Sequence, residues 1–162
     1  MISHNILESI SRLLMDKSWE VREQAALLLG SFVNVKRGRD NMLSSFVGLH
    51  QLLNDETIPV REAAAWAILR LSFNRDGCEL IVNSKTLKVM VISFIRNINP
   101  TFFKKNFTKY FLYLFQAFVN LTQYDNGIVP FLGTGATEKL KEILAPNYCN
   151  DFGVFKDQIQ EL

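Results

Sequence analysis

The chain has 162 residues, 48% of them hydrophobic and 21% charged, which suits one domain with a substantial buried core and excludes a disordered chain. Its formal net charge of +2 demands no polyanionic partner. Phenylalanine (13) outnumbers glycine (8) and proline (4), a mix suited to long helices with aromatic packing rather than to a turn-rich β fold.

Ile6, Leu7, Ile10, Leu13 and Leu14 recur at helical spacing and predict an amphipathic helix over 4–15. Asp16-Lys17-Ser18 breaks it, with Ser18 placed to cap the next helix. That helix, over 19–34, is expected to bury Val21, Ala25, Leu28, Leu29 and Phe32. Residues 36–40 read as a loop, followed by a short helix near 40–46 and another over 47–54 that carries Leu49, Leu52 and Leu53. After the turn at 54–57, Pro59 sits where proline is tolerated, in the first turn of a helix over 59–73. Its core face is Val60, Ala64, Ala67, Ile68 and Leu71. Asn74-Arg75-Asp76-Gly77 ends it, and Cys78 to Val82 form a short helix. A helix over 84–97 carries Leu87, Met90, Val91, Phe94 and Ile95, and Pro100 breaks the pattern. A long aromatic helix then spans 101–123. Helices near 126–132 and 136–145 flank Gly133-Thr134-Gly135, and 152–162 forms a last short helix over the open end.

Two stretches of this chain repeat one pattern. Leu13-Leu14, Asp16, Val21-Arg22 and Ala25-Ala26 return 39 residues later as Leu52-Leu53, Asp55, Val60-Arg61 and Ala64-Ala65. Further on, Leu71 to Gly77 align with Leu121 to Gly127 at an offset of 50. Self-similarity at roughly 20–50 residues marks a stacked repeat array. A single helical unit cannot bury its apolar face alone, and stacking removes those faces from water at roughly 25 cal/mol per Å². The paired alanines let neighbouring helices approach closely, whereas the third unit has Leu114-Phe115 there.

Chemistry-bearing residues are few. Cys78 and Cys149 lie far apart and read as free thiols in a reducing compartment. The N-terminus lacks the charged and apolar regions of a signal peptide, and no run of about 18 apolar residues predicts a membrane span. His4 and His50 have no partners at catalytic or zinc spacing, so no metal, cofactor or catalytic residue is expected. Gly133-Thr134-Gly135 lacks a phosphate-loop context. The sequons at Asn106 and Asn120 fall within helical patterns and read as chance. Asp16 and Asp55 each precede an arginine by six residues, and the repetition argues that they fix a turn rather than form an acid–base pair. Lys36, Arg37 and Arg39 read as a solvated loop. Lys104, Lys105 and Lys109 mix with Phe102, Phe103, Phe107 and Tyr110, but the aromatic spacing is that of a core, so nucleic acid is disfavoured.

The repeated pattern resembles the armadillo/HEAT superfamily of α-solenoids. Ala117-Phe118-Val119-Asn120-Leu121 is similar to the ending of an armadillo third helix, and Glu62 to Ile68 to the same helix in nuclear-import adaptors. The resemblance implies an all-α fold: a right-handed armadillo/HEAT-like solenoid of about three full repeats plus a partial fourth. It would fill residues 1–162 as one domain, with approximate units 4–45, 46–76, 77–124 and 125–162. It also implies that the last helix of each unit lines a concave groove. Residues one face away from the core stripe are then Gln24, Leu27 and Ser31, next Trp66 and Arg70 with Ala63, and last Tyr113, Gln116 and Asn120. Trp, Tyr and Arg dominate binding hot spots. The import adaptors carry a Trp with an Asn four residues later, and no unit here has both, so a classical import receptor is not expected.

The implied function is a non-enzymatic protein-interaction or assembly scaffold that holds an extended segment or helix of a partner. Small armadillo subunits of axonemal radial spokes are similar in kind, which would place the protein in the cytoplasm, in a cytoskeletal or ciliary assembly. The alternative is a regulatory or cargo adaptor for an enzyme or transport partner. Neither end carries a clear polar cap, so exposed repeat ends are expected to favour self-association.

Overall fold

A computed structural model describes residues 4–33, 43–97 and 109–123. Every regular element among them is an α-helix: α1 (His4–Leu13), α2 (Trp19–Phe32), α3 (Leu43–Leu52), α4 (Ile58–Ser72), α5 (Arg75–Asn83), α6 (Thr86–Asn97) and α7 (Lys109–Thr122). The expected helices beyond residue 123, the loop over 36–40, the basic cluster and Cys149 lie outside the described residues. Where two helices were expected over 40–54, the described part is the single helix α3. Arg75, Asp76 and Gly77, expected to end a helix, instead form the first turn of α5, because Asn74 is extended and restarts the chain.

The helices form two layers. α2, α4 and α7 lie side by side in one layer, and α1, α3 and α6 in the other, with α5 bridging α4 to α6 and α7. This solenoid-like order follows from where the apolar residues fall. Leu7, Ile10 and Leu14 bury one stripe of α1, and Leu49, Leu52 and Leu53 bury α3. Helix α4 is central and buried nearly all round. Val60, Ala64, Ala65, Ala67, Ile68 and Leu71 are each 0% exposed. Its small residues admit neighbours on both sides, and an apolar helix of this kind is stable only when enclosed. Val60 and Tyr110, equivalent in the repeat register, are both buried, whereas Val21 at the same place in α2 is half-buried.

Aromatic rings join α6 to α7. Phe94 meets Phe111 and Phe118 edge-on, at centroid distances of 5.7 and 5.4 Å. Tyr110 meets Phe111 likewise at 5.2 Å. Such pairs contribute about 0.5–1.5 kcal/mol each beyond their burial. Of the aromatics read as core, Tyr110 is buried, as are Phe111, Leu114, Phe115, Phe118 and Leu121 on the same helix, while Phe102, Phe103 and Phe107 lie outside the described residues.

The Asp–Arg motif fixes its turn, as its repetition suggests. Asp16 Oδ1 accepts from the Ser18 amide, and Asp55 Oδ1 from the Thr57 amide and hydroxyl. Arg22 Nη1 donates to the carbonyls of Asp16 and Lys17, and Arg61 Nη1 to those of Asp55 and Glu56. Ser18 stands at the N-cap of α2, but its hydroxyl donates to the Glu20 carboxylate and does not cap the helix. A second role was not legible. Arg22 reaches across to the next turn and grips Asp55 with two bonds, Nε to Oδ2 at 2.8 Å and Nη2 to Oδ1 at 3.0 Å. Burial alone would raise the Asp55 carboxyl, but bonds from Arg22 and Thr57 outweigh it and hold it below the usual carboxylate range.

His50 is structural. Half-buried on α3, it hydrogen-bonds through Nε2 with the Thr86 hydroxyl at the start of α6. Burial lowers its pKa below the ordinary value. Above about 6.5 the ring is neutral in both folded and unfolded chains. Below that, the unfolded chain takes up the proton first. Stability therefore falls as pH drops, until the folded ring also protonates. Urea midpoints measured from about pH 7.5 down to about pH 5 should show this loss, and His50→Gln should flatten that part of the curve. An unchanged curve in the variant would refute the assignment.

Candidate functional site

α2, α4 and α7 lie side by side, so neighbouring turns of the three helices come together. Glu23 and Leu27 of α2, Glu62 and Trp66 of α4, and Lys109 and Tyr113 of α7 line one cavity of about 240 Å³, with Pro59 and Ala63. Four of the expected partner-facing residues, Leu27, Ala63, Trp66 and Tyr113, thus share one cavity. Leu27, Trp66 and Tyr113 are half-buried, with Leu27 and Tyr113 packed against the core, and Ala63 is buried.

Trp66 is held in place by the absence of a side chain on its neighbour. A Cβ on Gly30 would stand 2.4 Å from Trp66 Cζ3 and 2.7 Å from Cε3. The indole therefore rests directly on the backbone of α2. Trp66 thus packs against α2 and also lines the cavity. Arg70, one turn on, places its guanidinium carbon 5.8 Å from the Trp66 ring centroid, a cation–π contact.

The remaining expected residues are spread out. Gln24 is exposed, outside the cavity. Ser31 is exposed too, and its hydroxyl donates to the Leu27 carbonyl. Gln116 donates to Asn120 Oδ1 at 3.3 Å. Asn120 in turn donates to the Ser72 hydroxyl at 2.9 Å, which ties α7 to α4. Asn120 also lines a different cavity, of about 450 Å³, at the far ends of the same helices, with Ser72, Asn74, Arg75, Cys78 and Gln123. There the Cys78 thiol donates to the Ser72 carbonyl, and burial pushes its pKa up, which makes it a poor nucleophile.

Sequence reasoning missed Glu23, Glu62 and Lys109. Their signal was present: each lies four residues before Leu27, Trp66 or Tyr113, one helical turn away on the same face. They give the groove two carboxylates and one ammonium beside an apolar floor. Among the described residues no group of His, Cys, Asp and Glu stands close enough to hold a metal ion, and no helix is long and apolar enough to cross a membrane.

Comparison with curated proteins gives no match. A family model described as a HEAT-like repeat matches residues 19–71, from the first residue of α2 to Leu71 of α4, and this supports a likeness to HEAT and armadillo repeats.

Proposed function

We propose that the protein is a non-catalytic interaction scaffold whose inner-layer groove, the concave side of a right-handed solenoid of about three repeats and a partial fourth, holds an extended segment or helix of a protein partner. The observation that carries this is the convergence of Leu27, Trp66 and Tyr113 from three neighbouring helices on one cavity. At about 240 Å³ it lies below the roughly 300–1,000 Å³ of small-molecule sites and suits one or two anchoring side chains. Glu23 and Glu62 at its rim favour an apolar anchor flanked by a cation.

Permanent incorporation into a large intracellular assembly, of the cytoskeletal or ciliary kind, is the context we favour. The exposed apolar residues Ile6, Leu13 and Leu28 support it, because a transient adaptor gains nothing from keeping them in water. The alternative, a regulatory or cargo adaptor, would use the same groove reversibly.

The test is binding to proteins that co-purify with the chain from its native cell. Trp66→Ala is expected to weaken groove-mediated binding by roughly 30-fold or more, the scale of a hot-spot residue. Because Trp66 also packs on Gly30, the charge variants Glu23→Lys and Glu62→Lys are needed beside it. They should weaken binding while leaving the thermal midpoint near that of the parent. Binding that survives all three changes would remove the groove from consideration.

A further inference from the structure

The repeat register sets each residue of the first helix pair (α1, α2) against one in the second pair (α3, α4), 39 positions on. The comparison isolates what a preceding neighbour does. Leu52 is 2% exposed and Ala67 0%, because the first pair stacks against the second. Their counterparts Leu13 and Leu28 are 42% and 44% exposed. Ile6, on the same stripe of α1 as Leu13, is 42% exposed. The carboxylates show the same contrast. Asp16 and Asp55 each accept the amide two residues on, but only Asp55 also receives a guanidinium, from Arg22 of the preceding pair. No arginine among the described residues donates to the Asp16 carboxylate. This leading face is apolar where a preceding helix pair would cover it and anionic where a preceding arginine would land.

We propose that this face, built on Leu13, Leu28 and the Asp16 carboxylate, docks an α-helical hairpin of a partner protein that presents an arginine at the start of its second helix. That arginine takes on Asp16 the place that Arg22 takes on Asp55. The charge selects the occupant. In a second copy of this chain that register offers no spare arginine among the described residues: Arg22 already grips Asp55, Arg61 holds the carbonyls of its own turn, and Phe111 stands at the same place in α7. Residues 97–108 also carry no Asp or Glu to continue the series. The surface is separate from the groove and does not depend on it.

The test extends the full chain with a known occupant. A duplicate of residues 4–42 is inserted ahead of His4, which adds one helix pair and its Arg22 in the native register. The melting midpoint is expected to rise by roughly 5 °C. Arg22→Ala in the added copy should remove about half of that rise. Leu28→Asp in the original copy should abolish it, yet shift the unextended chain by only about 1 °C, since Leu28 is exposed there. A midpoint that does not rise although circular dichroism shows the added residues helical, or a rise that survives both variants, would overturn the proposal. So would a dimer of the unextended chain that Leu28→Asp disperses, as judged by light scattering. Should the added residues not become helical, photo-crosslinking decides. Benzoylphenylalanine in place of Leu28, irradiated in extract of the native cell, should label a helix of another protein within a turn of an arginine, and Asp16→Arg should abolish the adduct. No adduct, an adduct to a second copy, or one to a non-helical segment would refute it.

Discussion

Asp55→Ala is expected to destabilise the protein by about 3–5 kcal/mol, the usual cost of removing one partner from a mostly buried ion pair. The side chains of Arg22 and Asp55 are 12% and 8% exposed, so water does little to replace the lost partner. The variant leaves the Arg22 guanidinium with the Asp16 and Lys17 carbonyls and, as its remaining carboxylate neighbour, only Glu56, 4.0 Å away and 86% exposed. It also frees the Thr57 amide and hydroxyl at the start of α4. A domain of this size has a total stability of only about 5–15 kcal/mol, so the urea midpoint should fall sharply. Asp55→Asn separates the two losses. It keeps an oxygen for Thr57 and removes the charge, so it should cost less than alanine. The pair should also weaken in acid. Its contribution is complete above the unfolded carboxyl value of about 3.9 and is lost as pH falls through the lower folded value. A loss below about 1 kcal/mol for Asp55→Ala would mean that the bridge is a surface pair of little consequence.

Gly77→Ala is expected to cost about 3 kcal/mol or more, and the sign is set by what the new carbon would touch. A Cβ at Gly77 would lie 2.0 Å from the Leu71 carbonyl oxygen and 2.9 Å from both Leu71 C and Cγ. Alanine gains about 1 kcal/mol over glycine in a helix interior, and the collision outweighs that gain. The oxygen cannot swing away freely, because it closes the end of α4 by accepting the Asn74 amide at 3.2 Å. Relief would require α5 to lift from α4. Gly48→Ala is the natural control. Its nearest contact, at 2.6 Å, is Leu14 Cδ1, the far end of a flexible side chain, so a smaller loss is expected. Thermal midpoints of the two variants check the order. Equal losses would show that α5 yields as easily as a leucine rotamer. Gly38 and Gly127 stand at the offsets of 39 and 50 from Gly77, so the chain returns to glycine at this place in its register.

Most of the helices, and the roles of the turn aspartates, were legible because they are local. An apolar stripe every third or fourth residue is written in the sequence of α1, α4 and α7 themselves. An Asp that holds the amide two residues on, and an arginine six residues on that holds its carbonyl, need no distant partner. The groove was legible in part for the same reason. Leu27 and Trp66 occupy one register position, and Tyr113 lies one helical turn before its α7 equivalent, Gln116, so helices packed side by side bring the three to one cavity. Asn120 shows the limit. It shares that face by periodicity, yet its amide is engaged by Ser72, 48 residues away, in a contact no pattern announces.

The sequence alone determined that the described chain is helical, that its helices recur with a period, and that Asp16 and Asp55 hold their turns, because helix formation and turn bonding depend on neighbours within a turn or two. Only the tertiary structure decided which of two like residues is buried: Leu28 stands in water while Ala67 at the same register is enclosed. It alone paired Arg22 with Asp55 across 33 residues and seated Trp66 on Gly30. The physical reason is that burial and ion pairing belong to the space between helices. One local pattern acquires different surroundings according to whether another helix pair lies before it.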